Sequence, residues 1–197
     1  MNQNTNVEKT FSLALENHQK NNLKKAEDLY KQILAENPSH YQSVFFLGTL
    51  FAQSKKFDLA KQLLNKAITI NKKDSNAHNN LGLVYRDLGQ LEKAIDCFEK
   101  SIQIEPKHLD AHNNLGLVYK DSKELQKAID CFEKTIEIEP RYALAYSNLG
   151  LVYRDLGQLE KAIDYFEKAI GIKPNHVGTH NNLGLVYRDL GQLEKAI

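Results

Sequence analysis

Four asparagines recur at one place in a repeating pattern: Asn80, Asn114, Asn148 and Asn182. A primary amide carries both donors and an acceptor on one short arm. Each could therefore pair with the N–H and the C=O of one residue in an extended peptide. A row of such amides would hold a backbone with little regard to its sequence, one rung for roughly three extended residues. On the same side of the predicted helices runs an acidic row, Asp87, Asp121, Asp155 and Asp189, with Arg86, Lys120, Arg154 and Arg188 beside it. These residues form the expected peptide-binding groove. The acidic row would serve ligands that bring a hydroxyl or a cation to it. A plainer origin exists for the asparagines. Duplication alone copies the phrase NNLG, and asparagine suits a solvated helix near its start.

Other spacings carry less chemistry. His108 and His112, like His176 and His180, stand four apart, a separation that could hold a metal on one helix face. The first of each pair falls in a turn between repeats, and no thiol or carboxylate completes a ligand set. They read as boundary and wall residues, and no metal site is expected. Asp96/Lys100, Asp130/Lys134 and Asp164/Lys168 have the spacing of helical ion pairs, worth a few tenths of a kcal/mol each. There is no phosphate loop, nucleophile motif or paired-acid site. No catalytic residue and no cofactor are expected, and the chain reads as a non-enzyme.

What positions the asparagines is a repeat of period 34. Leu81-Gly82, Leu115-Gly116, Leu149-Gly150 and Leu183-Gly184 keep step, as do Tyr85, Tyr119, Tyr153 and Tyr187. So do Ala94, Ala128, Ala162 and Ala196, then Phe98, Phe132 and Phe166, and Pro38, Pro106, Pro140 and Pro174. Each repeat predicts two helices. Leu81, Val84, Tyr85 and Leu88 mark one face of the first; Leu91, Ala94, Ile95, Phe98 and Ile102 mark the second. Gly89 tolerates the left-handed stop between them, and Pro106 ends the second. Ala94 and Gly82 are small where helices approach; Tyr85 and Phe98 fill the space beside them. Wheel arithmetic puts Asn76, Asn79, Leu83, Arg86 and Asp87 on the opposite side, with Asn80 at its edge. Lys55 and Lys123 replace the turn glycine, so those hairpins are expected to stop less well.

This pattern, L-G-x₂-Y, then A-x₃-F, then P, resembles the tetratricopeptide repeat over Val7 to Ile197. The position of the family's tryptophan holds Thr10, Val44, His78, His112, Tyr146 and His180, and Lys72 replaces one proline. The resemblance implies an all-α fold, a right-handed superhelical solenoid of antiparallel helix pairs. First helices would line a concave groove and second helices the outer wall. The expected divisions are a leader at 1–6, complete repeats at 7–40, 41–74, 75–108, 109–142 and 143–176, and a truncated sixth at 177–197. The asparagine row is similar to that of the tetratricopeptide arm of O-linked N-acetylglucosamine transferases, and the aspartates look like that family's acidic row. Ser12 and Phe46 replace asparagine in the first two repeats, and Gln19 and Gln53 replace aspartate. A grip carried over by resemblance is thus expected to begin at the third repeat.

Composition fits a protein-binding role. A formal net charge of +1, with 26% charged residues, gives no reason to expect nucleic acid or an anionic membrane as partner. The amino terminus lacks a signal-peptide core, and the apolar run from Val44 to Ala52 is too short to span a bilayer. A cytoplasmic location is the default. Cys97 and Cys131 occupy equivalent positions of successive repeats, too far apart for a disulfide if helices stack roughly 8–10 Å apart. The leading expectation is an interaction scaffold that binds an extended peptide or a partner helix, protein or peptide of unknown identity. The alternative is an amino-terminal, substrate-recruiting arm of a larger enzyme (glycosyltransferase, sulfotransferase or methyltransferase); a third is a self-associating array. Leu193, Ala196 and Ile197 begin a second helix that cannot complete its packing, which suggests a fragment with a sticky carboxyl end.

Overall fold

The computed structural model describes residues 3–192 and Glu194, so the expectation for Leu193, Ala196 and Ile197 lies outside the described residues. The described residues form helices and connecting turns, with no strand among them. The order is α1 (Gln3–Gln19), α2 (Leu23–Glu36), α3 (Tyr41–Gln53), α4 (Phe57–Ile70), α5 (Ser75–Asp87), α6 (Leu91–Ile104), α7 (Leu109–Asp121), α8 (Leu125–Ile138), α9 (Ala143–Asp155), α10 (Leu159–Ile172) and α11 (Val177–Asp189). The chain divides into two compact units, Met1–Pro106 and Lys107–Ile197.

Each hairpin is made by its tight turn and its apolar stripes. Gly89 and Gly157 sit at φ +70° and +73°, the left-handed region where a glycine meets no Cβ penalty. Lys55 and Lys123 take φ +56° and +63° at the same place, and Asn21 takes +59°. The lysine hairpins therefore stop at the same place as the glycine hairpins. A lysine there costs about 1–2 kcal/mol relative to glycine, which the packing on either side offsets.

The stripes bury what the periodicity marks. Phe98, Phe132 and Phe166 are fully buried, together with Ala94, Ala128 and Ala162. Burying a phenylalanine side chain stabilises by roughly 1.5–3 kcal/mol. The small residue of the first helix makes room for it. A Cβ on Gly82, Gly116 or Gly150 would stand 2.7, 2.7 and 2.6 Å from Cε1 of Phe98, Phe132 and Phe166. At Gly48 the partner is Leu64, whose Cγ would stand 3.1 Å away. Gly150→Ala should therefore cost about 2 kcal/mol of stability. Gly48→Ala should cost less than Gly150→Ala, because Leu64 can turn its Cγ away and alanine is the better helix former, while the fixed Cβ of Leu63 at 3.2 Å must give by a few tenths of an ångström. Adding Phe166→Leu to Gly150→Ala should recover part of the loss in urea unfolding. Strict additivity of the two changes would show that they do not share a contact.

Within each unit the helices follow one packing rule. Each second helix packs on its own first helix and on the first helix of the next pair: α2 on α1 and α3, α4 on α3 and α5, α8 on α7 and α9, α10 on α9 and α11. First helices also touch the next first helix, α1 with α3 and α3 with α5, α7 with α9 and α9 with α11. In the first unit α2 and α4 make no such approach to each other. The first helices thus form the inner side of each unit.

Polar links join successive pairs. The Tyr41 hydroxyl on α3 donates to Asp74 at the start of α5; within a single pair, the Ser75 hydroxyl on α5 donates to Glu105 at the end of α6 at 2.6 Å. In the second unit Tyr142 donates to Asp110 at 3.1 Å and the Thr179 hydroxyl donates to Ser147 at 3.0 Å. The starts of α3, α5, α7 and α11 are capped by side chains. Asp74 accepts from the N–H of Ala77 at 3.0 Å. His40, His108 and His176 accept from the N–H of Ser43, Ala111 and Thr179 at 3.3, 3.3 and 3.2 Å. These are the histidines of the repeat boundary, and N-capping is their structural role. Burial pushes the His40 imidazole below its usual range, which keeps the capping nitrogen an acceptor at neutral pH.

Candidate peptide-binding groove

The asparagine row lies on the first helices, and each rung whose bonds are resolved reaches back to the preceding pair. Asn80 on α5 donates from Nδ2 to Oγ1 of Thr49 on α3 at 3.3 Å, and accepts from Asn79 at 3.4 Å. Asn148 on α9 donates from Nδ2 to Oδ1 of Asn113 on α7 at 2.9 Å. All four rungs, Asn80, Asn114, Asn148 and Asn182, are half-buried. The amides are therefore part of the inter-repeat contact. An NH₂ group has two hydrogens, so the bond from Asn148 to Asn113 leaves it a second N–H and its carbonyl.

The wheel reading needs one correction. It put Asn79 on the groove side, yet Asn79 is 5% exposed and its equivalent Asn113 is 6% exposed. An ideal wheel describes one helix alone. At Asn113 the neighbouring first helix α9 reaches the edge that the wheel leaves open, through the amide of Asn148.

Charged residues run along the rim. Asp87, Asp121 and Asp189 are exposed, and each aspartate of the row stands beside its basic neighbour: Arg86–Asp87 at 3.5 Å, Lys120–Asp121 at 3.3 Å, Arg154–Asp155 at 3.7 Å and Arg188–Asp189 at 3.6 Å. Such pairs are worth roughly 0–1 kcal/mol, so either partner could turn to a ligand. The expected helical pairs on the second helices are not formed as drawn. Lys100 reaches Gln103 at 2.6 Å and Lys134 reaches Glu137 at 2.7 Å, while Lys168 lies 5.0 Å from the centre of the Tyr165 ring.

Two cavities open on the inner side of the first unit. One, of about 290 Å³, lies between α3 and α5 and is lined by Thr49, Gln53, Asn80, Leu83, Arg86 and Asp87. It joins a rung, a rim pair and the half-buried Leu83. The other, of about 590 Å³, lies between α1 and α3, with Leu15, His18, Gln19, Phe46, Thr49 and Gln53 in its wall. Its residues occupy the repeats where the asparagine and aspartate rows are broken. The sequence signal that could have found them is the aromatic excess of those repeats, Phe11, Phe45 and Phe46, which the thirty-four-residue alignment treats as departures.

Burial, with Asp96 adding to it, pushes the Cys97 thiol up to about 11, which leaves it protonated and unreactive at neutral pH. Among the described residues no cluster of histidine, cysteine and carboxylate side chains could hold a metal ion, and no helix is long and apolar enough to cross a membrane.

Comparison with known proteins gives a consistent result. Residues 74–141, 109–175 and 141–197 match the family model described as tetratricopeptide repeat. Residues 19–101 also match the model of anaphase-promoting complex, cyclosome, subunit 3. No curated protein matches the chain. The solved structure described as "Crystal structure of MamA" is similar, with 28% identity and a TM-score of 0.73, covering 84% of this chain and 96% of that one. The structure described as "Crystal structure of YrrB: a TPR protein with an unusual peptide-binding site" has 22% identity and a TM-score of 0.68, covering 93% and 91%. The one described as "Crystal structure of PilW, widely conserved type IV pilus biogenesis factor" has 19% identity and a TM-score of 0.88, covering 100% and 90%. The last two share the fold, and nothing further follows from them.

Proposed function

The chain belongs to the tetratricopeptide repeat family, and from that premise we propose that it is a protein-interaction scaffold whose inner faces hold an extended peptide. The observation that carries this reading is the cavity between α3 and α5, where Asn80, Leu83 and the Arg86–Asp87 pair converge on one concave surface. Leu83 offers an apolar contact, Asn80 a pair of backbone hydrogen bonds, and the rim pair a charge of either sign. The equivalent residues of the second unit, Asn148, Leu151, Arg154 and Asp155, repeat the set. The near-neutral charge supports a protein partner over a polyanion. A cytoplasmic setting and the repeat divisions at 7–40 through 177–197 belong to the same proposal.

Site-specific photocrosslinking tests it. A photoreactive residue in place of Leu83 or Leu151, on first helices, should capture peptides selected from a random library on the intact chain. The same residue at Glu92 or Glu160, exposed on second helices, should not. Capture from the second helices alone would place the binding surface on the other side and sink the reading.

A further inference from the structure

The larger cavity of the first unit lies beside the groove but is built differently. Its wall holds no lysine, arginine, aspartate or glutamate: Leu15, His18, Gln19, Phe46, Thr49 and Gln53, with Asn21 and Leu23 at one end. The acidic and basic rows of the later repeats have no counterpart here. We propose that this cavity is a side-chain pocket for an uncharged aromatic residue of the bound peptide. The proposal rests on the groove reading and adds side-chain selectivity to it.

Three observations choose the occupant. The first is the absence of charge. An ammonium or carboxylate entering this site would leave water for a wall with no counter-charge, which is costly; an uncharged side chain meets no such penalty. The second is the aromatic setting. Phe46, half-buried, belongs at once to the cavity wall and to a cluster in which it stacks on Tyr30 at 6.4 Å and 12° and meets His18 edge-on at 6.4 Å and 83°. A further ring could join that cluster in the tilted or edge-on arrangements aromatic pairs prefer. The third is continuity. Thr49 and Gln53 line both this cavity and the one that holds Asn80, so one extended chain can run across the two. A volume of about 590 Å³ holds a ring and the backbone that carries it.

The wall is pre-set by hydrogen bonds. Gln53 Oε1 accepts from His18 Nε2 at 2.9 Å, and the Tyr30 hydroxyl stands 3.4 Å from His18 Nδ1. Burial pushes the Tyr30 phenol up to about 12, so it keeps its proton and can donate to Nδ1. The imidazole is thus held from both sides, and its ring presents a fixed edge to the cavity.

Selection from a random peptide library on the intact chain, followed by fluorescence titration of labelled members, tests the pocket. Selected peptides should carry a phenylalanine, tyrosine or tryptophan at one shared position. Changing that residue to alanine should weaken binding about tenfold or more, and to lysine more still. Gln53→Glu keeps the acceptor for His18 and brings in a carboxylate. It should lose the aromatic peptide by a similar factor and gain on the lysine version, with the melting temperature little changed. Phe46→Ala with its melting followed in parallel gives a second reading. Peptides that bind without preference at any position, or that bind Gln53→Glu and wild type equally, would overturn the pocket and leave the groove standing. A chain that retains no peptide overturns both.

Discussion

Ala128→Leu should lower stability by about 3 kcal/mol, while Cys131→Ala, one turn away on the same helix, should cost less than about 1 kcal/mol. Ala128 is fully buried on α8, on the face it shares with Phe132. That phenylalanine already fills the space against Gly116, where even a Cβ would come within 2.7 Å. A leucine at 128 finds no room between α7 and α8 and must push the hairpin open. Cys131 is half-buried, and equivalent positions accept Leu29, Leu63, Cys97 and Tyr165. Both changes lie in one helix of one hairpin, so any departure from all-or-none unfolding affects them alike. Urea midpoints of the two variants decide the matter. Equal losses would contradict the assignment of Ala128 to the close contact.

The helices were legible because each repeat states the same constraint several times. Gly82, Ala94 and Phe98 must meet, and their recurrence fixes both the face and the hairpin. The tight turns were only partly legible. Glycine announces the left-handed residue at Gly89, but Lys55 and Lys123 adopt it because tertiary packing overrides a local preference of one or two kcal/mol. The sequence marks His108 and His176 only as residues of the turn between repeats; capping depends on a backbone geometry that residue type alone does not reveal. The burial of Asn79 and Asn113 was hidden for another reason. Periodicity describes one helix, and the amide that meets Asn113, Asn148, comes from the next repeat. The cavity between α1 and α3 was least legible, since its wall draws on His18, Phe46 and Gln53, which break the repeat rather than keep it.

The asparagine row is where the two kinds of information meet. Replacing Asn114 and Asn148 by alanine should weaken binding of an unstructured peptide tenfold or more, by a similar factor for peptides of different sequence. Each rung would remove up to two backbone hydrogen bonds of roughly 0.5–1.5 kcal/mol net. The bond from Asn148 to Asn113 adds a stability term that the sequence did not show. Its loss leaves Asn113 Oδ1, in a site 6% exposed, short of a donor, at a cost of about 1 kcal/mol. Alanine's better helix propensity offsets roughly half of that, so Asn148→Ala alone should lower the melting temperature by only a few degrees. Asn113→Ala separates the two roles. It removes the brace from Asn148 but leaves the rung in place. If the row grips a backbone, Asn113→Ala should lose a similar amount of stability and little affinity, while Asn148→Ala loses both. If the two variants weaken binding equally, the amide of Asn148 acts as an inter-repeat strut, and the peptide is held by the leucine floor and the charged rim instead.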